Sequence, residues 1–187
     1  MLTGINIICF ANDWESDPTS KHQVMRILSR HNKILWVNSI AMRNPSVSKS
    51  DLRRIWLKVK GCFKGIVKVN ENLFHFTPLV LPFPSLKLAR VVNKWLLKIF
   101  ICFYKKKLRM KDVQLWTFLP NMVDLVGSLG EKKIVYYCVD EWSKFSFING
   151  KSIRALEISL LKKADVVITS AEYLYHDKLK FNPNTHL

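Results

Sequence analysis

The stretch Lys132–Ser170, KKIVYYCVDEWSKFSFINGKSIRALEISLLKKADVVITS, decides how this chain folds. It opens on one β-branched and aromatic run, IVYYC, and closes on another, VVIT, with Leu156, Leu160 and Leu161 between them at helical spacing. Both runs are continuously apolar rather than alternating, the pattern of parallel strands covered on both faces. Strand, helix, parallel strand is a βαβ unit, and working outward the unit recurs. The predicted strands are Ile5–Phe10, Lys33–Val37, Leu73–Thr77, Gln114–Thr117, Lys133–Cys138 and Val166–Thr169. Helices are predicted at Ser20–Arg30, where Val24, Ile27 and Leu28 share a face, at Met122–Leu129 and at Ile153–Lys163. The alternation predicts an α/β fold: a doubly wound, mostly parallel, Rossmann-like sheet flanked by helices.

The size and composition agree with one such domain. The chain has 187 residues, 49% of them apolar, with only 6 Gly and 7 Pro, which excludes collagen-like and disordered classes. Cys9, Cys62, Cys102 and Cys138 form no CxxC and no Cys/His cluster, so reduced thiols and no metal site are expected. The N-terminus lacks the features of a secretory leader, and the most apolar stretch, Trp95–Tyr104, is interrupted by Lys98 and falls far short of the roughly 20 residues of a membrane span. A cytoplasmic protein is expected.

Charge is distributed unevenly. The formal balance is +16, yet Arg43 to Lys111 alone holds 17 Lys and Arg against two acids, Asp51 and Glu71. The segment 43–111 therefore reads as a basic amphipathic insertion, a localised contact surface for a polyanion. Within it, Ser85–Arg109 is predicted as one long helix. Lys87, Arg90, Lys94, Lys98 and Lys105 form a cationic stripe on it, and Val92, Leu96, Ile99, Phe100 and Phe103 an opposing core face. Val91, Trp95, Leu97, Ile101, Cys102 and Tyr104 flank the stripe, an apolar surface wider than one core face requires. In Asp51–Ile66, Leu52, Trp56, Val59, Phe63 and Ile66 likewise share a face, with Arg53, Arg54, Lys58, Lys60 and Lys64 around it. Lysines beside Trp and Tyr on an apolar shoulder fit a helix lying in an anionic membrane interface, peripheral on its inner face. The bland alternative is two ordinary solvated helices. Nucleic acid is disfavoured as partner, because no RNP, GXXG or helix-turn-helix pattern accompanies the charge.

In open α/β sheets ligands bind beyond the carboxyl ends of the strands. Those positions hold Asp13, Trp14, Lys21 and His22 after the first predicted strand, Asn121 after the fourth, Asp140 and Glu141 beside Trp142 after the fifth, and Ser170 after the last. Aromatic and charged side chains together suit a sugar or another polyol. Each also has an ordinary structural use: Asp140 as a helix cap, Trp14 and Trp142 as half-buried anchors. Neither GxGxxG nor GxxxxGK[ST] occurs, which argues against a nicotinamide or P-loop enzyme. Neither His22 nor His75 has a Ser or Cys partner in a nucleophile-elbow context, so nucleophilic hydrolysis gains little support.

Taken in order, IICFANDW, KHQVMRILSRHNKILWVNS, LWTFLP, IVYYCVDEWSKF and LEISLLKKADVVITSAEYLYHDKL resemble the N-terminal half of GT-B glycosyltransferases of the glycosyltransferase family 4 type. The family's Y-x-x-x-D matches Tyr136 to Asp140, and its A-D-x-V-x-x-[ST]-S matches Ala164 to Ser170. The resemblance implies that residues 1–187 form a single Rossmann-like N-terminal domain, the acceptor-holding half of a two-domain enzyme. The C-terminal nucleotide-sugar domain would be absent, because KFNPNTHL stops where the family continues into its second domain. It further implies that Asp13, Trp14, Lys21, His22, Asn121 and Ser170 line the acceptor side, with Asp140 or Glu141 as acceptor-positioning carboxylate or general base. No cofactor is expected on this chain, the nucleotide-sugar donor binding through the second domain, which a separate partner could supply. The acceptor implied is a glycolipid or cell-envelope polysaccharide. A Gly-Gly turn common after the family's first strand is lacking here. A non-catalytic binding or partner module and a basic nucleic-acid-binding α/β protein are the competing readings.

Overall fold

A computed structural model describes residues 2–39, 49–81, 83 and 86–187; the side chains of 49–52, 54 and 55 are not described. Arg43, Ser85 and the side chains of Leu52 and Arg54 thus lie outside the described residues.

Among the described residues eight strands form one sheet: β1 (Asn6–Phe10), β2 (Lys33–Val37), β3 (Ile66–Lys68), β4 (Leu73–Phe76), β5 (Gln114–Thr117), β6 (Lys133–Cys138), β7 (Val166–Thr169) and β8 (Thr185–His186). Their spatial order is β3-β4-β2-β1-β5-β6-β7-β8, parallel throughout except for β3 against β4. Among the described residues five α-helices accompany them: α1 (Ser20–Leu28), α2 (Lys49–Phe63), α3 (Lys87–Lys107), α4 (Gly150–Leu161) and α5 (Glu172–Leu179). The chain winds outward from β1 to β2 and β4, then returns through α3 to β5 and winds the other way. The sheet is thus doubly wound, as expected, with its reversal between β1 and β5.

The continuous apolar runs form this sheet because both of its faces are covered. On one face Ile8, Phe10, Leu35, Val37 and Leu115 pack against Leu97, Ile101 and Tyr104 of α3. On the other, Ile7, Cys9, Ile34 and Trp36 pack against Met25 of α1. Each fully buried aliphatic side chain contributes about 1.5–3 kcal/mol, so the alternating faces of β1 and β2 alone commit the chain to these two layers. A third cluster, Tyr136, Cys138, Val167, Leu160, Leu161 and Leu174, seats α4 and α5 on β6 and β7.

The structure corrects three local expectations. The predicted helix at Met122–Leu129 is a 3-10 turn over Pro120–Asp124 followed by turns. Gly127 at φ +84° takes a left-handed conformation that ends regular winding, and the Glu131 carboxylate accepts from the Gly127 and Leu129 amides instead. β3 and β8, short edge strands, were not expected. Third, α3 faces inward on Ala89, Asn93, Leu97, Ile101 and Tyr104, whereas Ile99 and Phe103 of the expected core stripe are 61% and 59% exposed. The polar Asn93 can lie inward because its amide exchanges two bonds with the main chain of Leu81, at 2.7 and 2.9 Å. The basic segment is integral to the sheet: β4 pairs with β2, and α3 is the crossover to β5.

Candidate functional site

α1 begins directly beyond the carboxyl end of β1 and carries Lys21 in its first turn. The Lys21 side chain is only 9% exposed, and its Nζ donates to Asp140 Oδ2 at 3.1 Å across 119 residues of sequence. It also stands 5.3 Å from the Trp142 ring and 6.0 Å from the Phe118 ring. Thus the segments following β1, β5 and β6 converge at the reversal of the sheet, where such folds place ligands. Asp140 keeps 37% of its side chain exposed, so its carboxylate is held by an ammonium yet open to solvent.

Two buried side-chain atoms in these same segments, Asn121 Oδ1 and Trp142 Nε1, have no hydrogen-bond partner among the described residues. Buried polar atoms are normally satisfied, and leaving one unpaired costs about 1–3 kcal/mol. Ser170, exposed at the end of β7, lies at the margin and donates weakly to the Val139 carbonyl at 3.4 Å.

Glu141, the neighbouring carboxylate, is arranged differently. It accepts from Lys178 Nζ at 2.8 Å and from Ser143 Oγ at 2.5 Å. Burial pushes the Glu141 carboxyl up, but these two hydrogen bonds outweigh it and hold the group below its ordinary value. Lys178 of α5 is fully buried and also contacts Glu157 at 3.0 Å and Asp177 at 2.9 Å. Arg154 closes the network with 2.7 Å bonds to both oxygens of Asp177 and a 2.8 Å bond to Glu157. Burial opposes charge on Lys178 and Arg154, yet their carboxylate partners raise both. The Tyr136 hydroxyl donates to Glu157 at 2.7 Å, and burial together with Glu157 pushes the Cys138 thiol up to about 12, so Cys138 is an inert core thiol. Sequence reasoning missed this network. Its one visible signal is Glu157 inside the apolar helical run LEISLL, since a carboxylate there demands a buried cation.

The remaining expected residues form a second group, beyond β1, β2 and β4. Asp13 Oδ1 accepts from the amide and hydroxyl of Ser39 at 3.1 and 3.0 Å, and Lys58 Nζ stands 3.6 Å away. Lys58, expected at a membrane contact, also bonds the Ser39 carbonyl at 2.6 Å. Trp14 and His22 sit in an aromatic cluster with Trp36, ring centroids 4.9 Å apart. His22 is 1% exposed and its Nδ1 accepts from the Thr19 amide at 3.1 Å, closing the start of α1. Burial lowers its basicity, with the Asp13 and Trp14 main chain opposing that and Arg26 and Lys21 adding to it, so it stays neutral. A hollow of about 20 Å³ beside α2, lined by Glu15, Lys64, His75 and Thr77 among others, is too small for a sugar. Among the described residues no group of His, Cys, Asp and Glu could hold a metal ion.

Of the expected basic contacts, Arg90 makes two bonds to Asp124 at 2.9 and 2.7 Å, and Lys105 donates to the Leu129 carbonyl at 2.7 Å. Lys87, Lys94, Lys98 and Arg53 are at least partly exposed. Among the described residues no helix is long and apolar enough to cross a membrane.

No protein-family model matches the chain, and no curated protein matches it. Among solved structures it is similar to that of Phytolacca americana UGT2 complexed with UDP-2fluoro-glucose and pterostilbene, at 11% identity and a TM-score of 0.47. The likeness covers 96% of this chain and 51% of that one, so the chain spans about half the neighbour's length.

Proposed function

We propose that this chain is the acceptor-holding N-terminal domain of a GT-B glycosyltransferase, family 4-like, that moves a sugar from a nucleotide-sugar to a lipid-linked or cell-envelope polysaccharide acceptor. The observation that carries the reading is the Lys21–Asp140 pair against Trp142 and Phe118 at the reversal of the sheet. A sugar hydroxyl is both donor and acceptor, and its ring offers an apolar C–H face. A half-open carboxylate beside the Trp142 ring matches that chemistry. The order of motifs from IICFANDW to ADVVITS supports the same reading.

In this proposal Asp140 orients the attacking hydroxyl and takes its proton, while Lys21, 3.1 Å away, fixes the carboxylate in place. Glu141 has both oxygens committed to Lys178 and Ser143, so it anchors the loop that presents Asp140. The donor diphosphate is assigned to a second domain. One observation favours the non-catalytic alternative: Asp140 as well as Glu141 is already ion-paired. Turnover unchanged by Asp140→Asn in the complete transferase would establish that alternative.

Saturation-transfer NMR with neutral mono- and oligosaccharides and with UDP tests the reading. Saccharide signals lost in Lys21→Met and in Asp140→Asn, with no transfer to UDP, are expected. No saccharide contact, or UDP binding that depends on Lys21, overturns it.

A further inference from the structure

The outer face of α3 is apolar. Leu88, Val91, Trp95, Ile99 and Phe103 recur every three or four residues and are 52–76% exposed, on the side of the helix opposite the buried Leu97 and Ile101. A surface helix ordinarily turns polar residues outward. Here the apolar stripe runs the length of a 21-residue helix, about 30 Å, and contiguous exposed apolar surface of that kind marks a contact. Lys87, Lys94 and Lys98 border it, and Lys98 Nζ lies 5.4 Å from the Trp95 ring. α2 repeats the arrangement, with Trp56 61% exposed under Lys60 at 5.3 Å and Phe63 88% exposed.

We infer that α3 docks on an anionic lipid bilayer, its apolar stripe in the interfacial layer and its bordering lysines on lipid headgroups. Charge complementarity selects this occupant. α3 carries seven Lys and Arg and no carboxylate, so a second copy of the chain would set like charge against like. An anionic leaflet supplies the opposite sign along with an apolar layer, and lysine stems span the two.

The orientation follows from topology. β4 ends at the carboxyl edge of the sheet and β5 begins at the other, so α3 starts at the edge that carries Lys21 and Asp140. The connector there exposes Leu79, Leu81 and Phe83 as well. A docked α3 therefore has its first turn at the same sheet edge as the candidate site, with the sheet between α3 and α1. The docking itself does not rest on the acceptor reading.

Co-sedimentation with phosphatidylcholine vesicles, with and without 30% phosphatidylglycerol, on the order of physiological salt, tests the inference. The chain is expected to bind the anionic vesicles only. Trp95→Ser with Ile99→Ser, both on exposed positions, and separately Lys87, Lys94 and Lys98→Glu, should each bind at least about a hundredfold more weakly. Trp fluorescence should blue-shift on binding in the wild type. Lys21→Met should leave vesicle binding unchanged while abolishing saccharide contact, so the two proposals fail separately. No binding to anionic vesicles overturns the docking. So does binding that the apolar double variant retains, which is adhesion without insertion, or a lipid-free dimer that the same variant dissolves.

Discussion

At the scale of single residues, Lys178 and Lys21 show what burial does to the same side chain. Lys178 is wholly enclosed by Glu141, Glu157 and Asp177, so Lys178→Met strands carboxylates inside the fold. Breaking a buried pair from one side costs about 3–5 kcal/mol, and urea unfolding should register a loss of that size. Removing the buried charge as well, in Lys178→Met with Glu157→Gln, should recover part of it, because Arg154 still neutralises Asp177. A single variant as stable as the wild type would mean that the network is not holding α5 in place. Lys21 is itself buried, but its partner Asp140 is half-open, so Lys21→Met leaves a carboxylate that water can solvate and should cost no more than about 1 kcal/mol by the same measurement while losing the proposed saccharide contact. A loss as large as that of Lys178→Met would make Lys21 a structural cation instead.

At the scale of elements, α4 depends on one close approach. A Cβ on Gly150 would stand 2.6 Å from the Ser143 carbonyl oxygen, a main-chain atom that moves only with its loop. Gly150→Ala should therefore displace Trp142–Lys144, lower stability by about 1–3 kcal/mol and weaken saccharide contact through Asp140; wild-type melting and binding would show that the loop yields freely. Gly150 looks ordinary in INGKS, because close approach is a tertiary property. What was legible in the sequence is what depends on neighbours along the chain. Continuous runs such as KILWV and VVIT became strands at the expected residues, since burial on both faces leaves no other use for them. The sheet's reversal and its convergent loops followed from that alternation. α3 differs from expectation in rotation, not in kind: Arg90 and Lys105 find Asp124 and the Leu129 carbonyl, partners distant in sequence that helical periodicity does not show. The surplus of apolar surface was legible all the same, because it depends only on counting faces. Asp13 and Asp140, both placed beyond strand ends, fall into separate groups for the same reason, as their partners Ser39 and Lys21 are chosen by packing.

At the scale of the whole molecule, acid should weaken the fold in two stages. Burial lowers the basicity of His22 and of His75, the latter with Glu15 opposing and Lys64 adding to the effect. Their folded values lie below the unfolded value of 6.5, so the native state holds fewer protons and stability is fully present above that pH. It is lost progressively as pH falls from there toward the folded values. Glu141 and Asp177 act lower on the scale. Burial raises both, but hydrogen bonds outweigh it: Lys178 and Ser143 on Glu141, Arg154 and Lys178 on Asp177. Their contribution is complete above the ordinary carboxylate values of 4.5 and 3.8 and disappears as pH falls through the lower folded ones. Urea midpoints measured from pH 8 to pH 3 should thus decline first below about 6.5 and again below about 4.5. His75→Phe should flatten the first stage at little cost, because His75 Nδ1 has no partner among the described residues and its ring already stacks 6.3 Å from that of Trp14. A chain with a formal charge of +16 also repels itself increasingly as carboxylates protonate. Salt separates the two causes, since screening relieves repulsion between surface charges far more than it relieves the burial of a protonated ring. A first stage that survives His75→Phe and His22→Phe but vanishes in high salt would assign the decline to surface charge and leave the histidines as neutral packing.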